Sequence, residues 1–202
     1  MKAEDLYQGP LGAAYHERNR THVRAMRPLR ITFLREWLHP YAKDPWLEVG
    51  CGEGDNLLYG DIGLDVDKRL APIVEQKGAR FVEGRAQELP FPDACFSVVF
   101  CIGLLMHLPD GEWQKALAEM SRVASHVVVI GEYWAPEERD LRWNPVVGTI
   151  YTSEGTPGLL WARPYPPPAG WFTISGDHMV EGFDPSVTFL AFVRDHEEKG
   201  EN

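Results

Sequence analysis

The chain has 202 residues, 44% apolar and 25% charged, in the range of a globular domain that builds its core without staples. Its formal net charge of −10 argues against non-specific binding to nucleic acid or anionic membrane, either of which needs a basic surface. Cys51, Cys95 and Cys101 are odd in number and lack metal-ligand spacing, so they read as reduced thiols of a cytoplasmic protein with no metal site. The polar start Met1-Lys2-Ala3-Glu4-Asp5 does not read as a signal peptide, and no run reaches transmembrane length.

In chain order, one domain over 1–202 is expected, opening with a helical cap over 1–44. Residues 13–39 carry Val23, Met26, Ile31, Phe33, Leu34, Trp37 and Leu38 at helical spacing, with Pro28 dividing or bending the helix. Six arginines between Arg18 and Arg35 fit a solvated face. The spacing also lets Tyr15, Arg18, Asn19 and His22 share one face over a cleft. Spacing alone does not choose between the two.

The core, 45–133, begins with the apolar run Trp46-Leu47-Glu48-Val49. An acid on this strand is followed by Gly50, Gly52 and Gly54 at alternate positions. Glycine tolerates positive φ, and a turn rich in backbone N–H groups favours a negative ligand group, whereas Glu48 favours a positive one. Such a loop suits a zwitterion. A second strand, 61–67, ends in acids at Asp65 and Asp67. Too few residues lie between the two strands for a full crossover helix, so the first helix is shortened. A helix over 68–77, with Pro72 near its start and Gly78 past its end, precedes a third strand at 80–83. The continuous apolar run 95–101 reads as a buried parallel strand, 112–121 as a helix with Trp113, Leu117 and Met120 on one side, and 126–130 as a further buried strand. The alternation predicts an α/β fold with a mostly parallel sheet, and ligands in such sheets bind beyond the carboxyl ends of the strands. Residues 134–171 are rich in Pro, Gly and Trp and read as a lid-like irregular segment. The last part, 172–194, reads as an antiparallel strand pair closing the sheet edge.

The motifs LEVGCGEG, GLDVD and EGRAQELPFPDACFSVVFCIGLLMH, in that order over about 45–131, resemble those of class I S-adenosylmethionine-dependent methyltransferases. A nicotinamide site would want Gly-x-Gly-x-x-Gly, and position 55 is Asp. The runs GPLGAAYHERN and LLMHLPDGEWQKALAEMSRVASHVVVIGEYWAP are similar to the pseudaminic acid biosynthesis-associated methylases. The resemblance implies a Rossmann-like fold and S-adenosylmethionine as cofactor. Glu48, the Gly50, Gly52 and Gly54 backbone, Cys51 and Asn56 would hold its methionine end. Asp65 would accept the ribose hydroxyls, with Val66 beside the ring. Arg85, Ala86 and Gln87 would lie around adenine, and Cys101 and Ile102 would offer backbone carbonyls to the amino group. His107 would face the reacting groups. Tyr15, Arg18, Asn19, His22, Tyr133 and Arg163 would form the pocket of a small-molecule substrate, with Glu132 and His22 as reserve bases and the chain a monomer or homodimer.

The chain departs from the family pattern at Arg85, where many relatives have Asp, at Ser97, again in place of Asp, and in its short first helix. These motivate a rival reading, a non-catalytic or weakly cofactor-binding protein of the same fold. Competing roles also stand at single positions. Asp65 or Asp67 caps the next helix, His107 packs or reacts, and the cysteines fill the core.

Overall fold

The computed structural model describes residues 17, 31–41, 45–140, 161–178 and 187–195. Residues 31–37 form helix α1, followed by a 3-10 turn at His39–Tyr41. Strands β1 (Leu47–Val49), β2 (Ile62–Asp65), β3 (Arg80–Glu83), β4 (Phe96–Ile102) and β5 (Ala124–Tyr133) alternate with helices α2 (Ala71–Gln76) and α3 (Glu112–Val123). After β5 come two short strands, β6 (Arg139–Asp140) and β7 (Trp161–Ala162), then β8 (Trp171–His178) and β9 (Val187–Arg194).

The main sheet runs β3-β2-β1-β4-β5-β9-β8. The first five strands are parallel, β9 lies antiparallel to β5, and β8 is antiparallel to β9. Alternate side chains of the central strands point to opposite faces. Val98 and Phe100 of β4 join Val127 and Val129 of β5 beneath α1 and α2, packing on Leu34, Leu38 and Val74. Val99 and Cys101 join Val128 and Ile130 beneath α3, against Trp113, Leu117 and Met120. Both faces are therefore covered, which is why β4 and β5 read as unbroken apolar runs. Helix α1 is docked through Arg35, whose guanidinium stacks 3.6 Å over Trp46 and pairs with the buried Asp61. One of the six arginines thus serves packing rather than a solvated face.

Three features differ from expectation. The first crossover helix is absent: residues 50–61 hold turns and no helix. The N–H groups of Trp46 and Leu58 donate to Asp61 at 3.2 and 2.8 Å, and Lys77 donates to the Glu53 carbonyl and to Asp55, both at 2.7 Å. Side chains replace the helix's own hydrogen bonds. Second, the segment expected to be irregular carries a two-stranded ribbon, β6 paired with β7, beside a bridge between Trp134 and Arg163. Third, β5 runs three residues beyond the apolar stretch 126–130, so Glu132 and Tyr133 belong to it.

Candidate functional site

The end of β1 fixes the site's floor. Gly50, Gly52 and Gly54 have φ of 73°, 52° and 73°, left-handed values that residues with a Cβ rarely adopt. A Cβ on Gly50 would also lie 2.9 Å from Leu104 Cδ1, so the loop after β4 packs directly on the glycine loop. The N–H groups of Gly50 and Cys51 both donate to the Leu64 carbonyl, at 2.8 and 3.0 Å, which ties the loop to β2. Gly63 on β2 is required by the same approach, since a Cβ there would meet Cys51 Sγ at 2.6 Å. Beneath the loop, Glu48 is 1% exposed and accepts from Asn56 Nδ2 at 2.6 Å. Burial first, then Asp65 and Glu48, raise the Cys51 thiol well above its ordinary value, so it stays neutral.

At the end of β2 the two acids separate by role. Asp65 accepts the Gly52 N–H on Oδ2 at 2.9 Å and the Asp67 N–H on Oδ1 at 3.0 Å. Asp67 caps the 3-10 turn Lys68–Leu70 through the Arg69 N–H and also binds the Arg69 side chain at 2.6 and 2.7 Å. Asp65 is therefore the acid fixed at the glycine loop, and Asp67 is the cap.

Beyond β3 the loop is pinned by α3. Arg122 donates to the Leu89 and Phe91 carbonyls at 3.0 and 2.9 Å and pairs with Glu119 and Asp93. Ala86 is buried. Arg85 lies 3.9 Å from Glu112, whose carboxyl is held below its usual range by Lys115, with Arg85 and Gln87 adding to the effect.

The end of β4 carries the densest polar cluster. Glu132 of β5 is 1% exposed. Its Oε1 accepts the N–H groups of Leu104 and Leu105, both at 2.9 Å, and the Cys101 thiol at 3.4 Å, while Oε2 accepts the Met106 N–H at 3.0 Å. Burial pushes this carboxyl up to about 7, against the downward pull of those three backbone N–H groups. The 3-10 turn Leu105–His107 follows, and His107 is 5% exposed. From the other side Arg163, 1% exposed, donates from Nη1 to the Leu105 and Leu108 carbonyls at 3.1 and 2.7 Å and from Nε to Glu138 at 2.7 Å. Its guanidinium lies 4.4 Å over Trp161.

The strand ends of β2, β1 and β4 are neighbours in the sheet, so Glu48, the glycine loop, Cys51, Asn56, Asp65, Val66, Cys101 and Ile102 share one edge, with His107 on the turn beyond. Ala86 and Gln87 stand on the loop after β3 at the same edge. Arg163 is buried, with Nη1 on the turn's carbonyls and Nε on Glu138. Tyr133, at the end of β5, is buried as well. Tyr15, Arg18, Asn19 and His22 lie outside the described residues. Glu132, expected only as a reserve base, has both of its oxygens taken up by backbone N–H groups. The signal in the sequence is an acid one glycine beyond a run of four apolar residues, Val127-Val128-Val129-Ile130.

A seven-stranded sheet in this order, with a glycine loop after its first strand, defines a Rossmann-like α/β fold of the class I methyltransferase type. The solved magnesium protoporphyrin IX methyltransferase from Synechocystis PCC 6803, with bound SAM, shares it: the TM-score is 0.64 over 96% of this chain and 98% of that one, at 13% identity. Residues 47–127, about two fifths of the chain, match the family described as a methyltransferase domain. The methyltransferase YcgJ of Bacillus subtilis is 30% identical over 107 residues, covering 46% of this chain and 42% of the relative. A demethylmenaquinone methyltransferase from Bacillus licheniformis is 37% identical over 91 residues, 38% of each chain. The chain thus spans less than half the length of these curated relatives.

Proposed function

We propose that this chain is an S-adenosylmethionine-dependent methyltransferase acting on the oxygen or nitrogen of a small molecule. The observation that carries the reading is the left-handed Gly50–Gly54 loop locked to the Asp65 carboxylate through the Gly52 N–H. Loop N–H groups suit a carboxylate and Glu48 suits an ammonium, the two ends of an amino acid. Each oxygen of Asp65 takes one backbone N–H and keeps acceptor capacity for a diol.

A sulfonium donor supplies an already activated methyl group. The protein's task is to bind, align and exclude water, from which proximity draws much of the rate. Glu48, the Gly50–Gly54 backbone and Asp65 would hold the donor while its methyl group passes to the acceptor's oxygen or nitrogen, with S-adenosylhomocysteine as the leaving group. The acceptor's proton would pass to a base, a role this reading gives to His107. Tyr15, Arg18, Asn19 and His22 complete the pocket in this reading, and Arg18 suits an acidic, sugar-like acceptor of the kind the pseudaminic acid-associated resemblance suggests. The reading includes a cytoplasmic protein, monomer or homodimer, with no nucleic-acid partner. The net charge of −10 supports the last of these. Among the described residues no helix is long and apolar enough to cross a membrane.

A second reading, a non-catalytic protein of this fold, is favoured by two observations. No helix follows the glycine loop, and Arg85 at the adenine end pairs with Glu112. Mass spectrometry of S-adenosylhomocysteine release, run over acidic sugars, phenols and amines, separates the two. Turnover lost in His107→Ala and Arg18→Ala supports the enzyme and its pocket. No release with any acceptor, from protein that binds the cofactor, supports the second reading.

A further inference from the structure

The turn that carries His107 is held from two sides by buried, oppositely charged side chains. Glu132 collects the N–H groups of Leu104, Leu105 and Met106, and Arg163 collects the carbonyls of Leu105 and Leu108. A five-residue stretch thereby gives up three donors and two acceptors to side chains that come from different parts of the chain. An isolated 3-10 turn has poor hydrogen-bond geometry and no such order of its own. Both holding residues are buried in protein, where a charged group is kept only when its partners are fixed. Glu132 rises from the rigid middle of the sheet, between β4 and β9. Arg163 follows β7 and stacks on Trp161, so it belongs to the segment after β5.

We propose that Glu132 and Arg163 are positioning residues that together set the place of His107 and join the 161–165 segment to the active site. The inference rests on the methyltransferase reading only for what His107 does; the clamp itself can be measured without ligand. It makes Glu132 a holder of the turn rather than a base, because both oxygens are engaged. Among the described residues, the ionisable groups that interact with Glu132 include Cys101 from β4 and Tyr165 from the segment after β7, while Arg163 and His107 lie at the held turn. Cys101 and Tyr165 are both pushed up by burial and by the negative charge of Glu132, so neither competes with it for a negative charge near neutrality. Protonating Glu132 turns one oxygen into a hydroxyl, a poorer acceptor for the N–H it faces. The clamp therefore weakens as pH falls through about 7.

The test is amide hydrogen exchange on the full, ligand-free chain, corrected for intrinsic rates, with β4 and α3 as internal standards. In the wild type, protection at Leu104, Leu105 and Met106, taken relative to β4 and α3, falls about tenfold between pH 8 and pH 5.5, the size expected for losing a charge-assisted hydrogen bond. In Glu132→Gln the same amides lose protection at pH 8 and their pH dependence disappears. In Arg163→Lys, where one ammonium cannot replace the guanidinium's planar fork, the His107 ring cross-peak shifts and protection at 105–108 drops. Unchanged protection at these amides in both variants, or a wild-type profile flat in pH, overturns the proposal. S-adenosylhomocysteine calorimetry on the same samples is a separate readout. Failure to bind in the wild type removes the enzymatic reading while leaving the exchange result to decide the clamp.

Discussion

Gly50 concentrates two constraints on one Cα: a φ of 73° and a Leu104 methyl 2.9 Å from where a Cβ would stand. Gly50→Ala therefore costs about 1–2 kcal/mol in backbone strain alone, and thermal unfolding should show a lowered midpoint. The packing conflict displaces Leu104, and with it the turn that follows, so loss of cofactor binding should exceed the loss of stability. Glu132 gives a second prediction with a definite sign. Its folded value of about 7 lies above its ordinary 4.5, so the folded chain binds more protons than the unfolded chain between those pH values. The stabilisation from this group is fully present below 4.5 and is lost as pH rises through 7. A shift of that size corresponds to about 3 kcal/mol. Glu132→Gln removes it, so denaturant titrations should show the variant gaining about that much relative to wild type between pH 4.5 and pH 8.

At the scale of elements, the stretch between β1 and β2 replaces a helix with turns in which Lys77 takes up the Glu53 carbonyl and the Asp55 carboxylate. Lys77→Met leaves the buried Asp55 without its ammonium. The expected cost is about 1–3 kcal/mol, with faster exchange confined to 53–61, readable by the same mass-spectrometric method. The residues that make the strands were legible in the sequence because both faces of the sheet are covered. Phe96–Ile102 announces itself as an apolar run and Ile62–Asp65 as a strand ending in an acid, and Pro72 and Gly78 bracket α2. The glycine loop and Asp65 were legible because left-handed backbone and a strand-end acid demand particular residue types. What was not legible depends on long-range partners. Nothing local to Arg163 says that it reaches the carbonyls of Leu105 and Leu108, 58 and 55 residues earlier. Nor does position 132 disclose three backbone donors from a turn 26 to 28 residues away. The short ribbon of β6 and β7 escaped for the same reason, since two-residue strands carry no periodicity.

Across the whole molecule, the sheet order β3-β2-β1-β4-β5-β9-β8 places the ends of β2, β1 and β4 side by side. The central claim is that this edge binds S-adenosylmethionine, with the methionine end over Gly50–Gly54 and the ribose on Asp65. The departures at Arg85 and in the missing helix leave Glu48, Asp65 and the glycine backbone intact. Isothermal calorimetry with S-adenosylhomocysteine on the wild type, Gly50→Ala and Asp65→Ala tests this most directly. The account predicts one saturable site in the wild type, with affinity lowered at least tenfold in each variant while Asp65→Ala remains folded. No heat and no thermal shift at millimolar ligand in the wild type, or equal affinity in all three proteins, would contradict it.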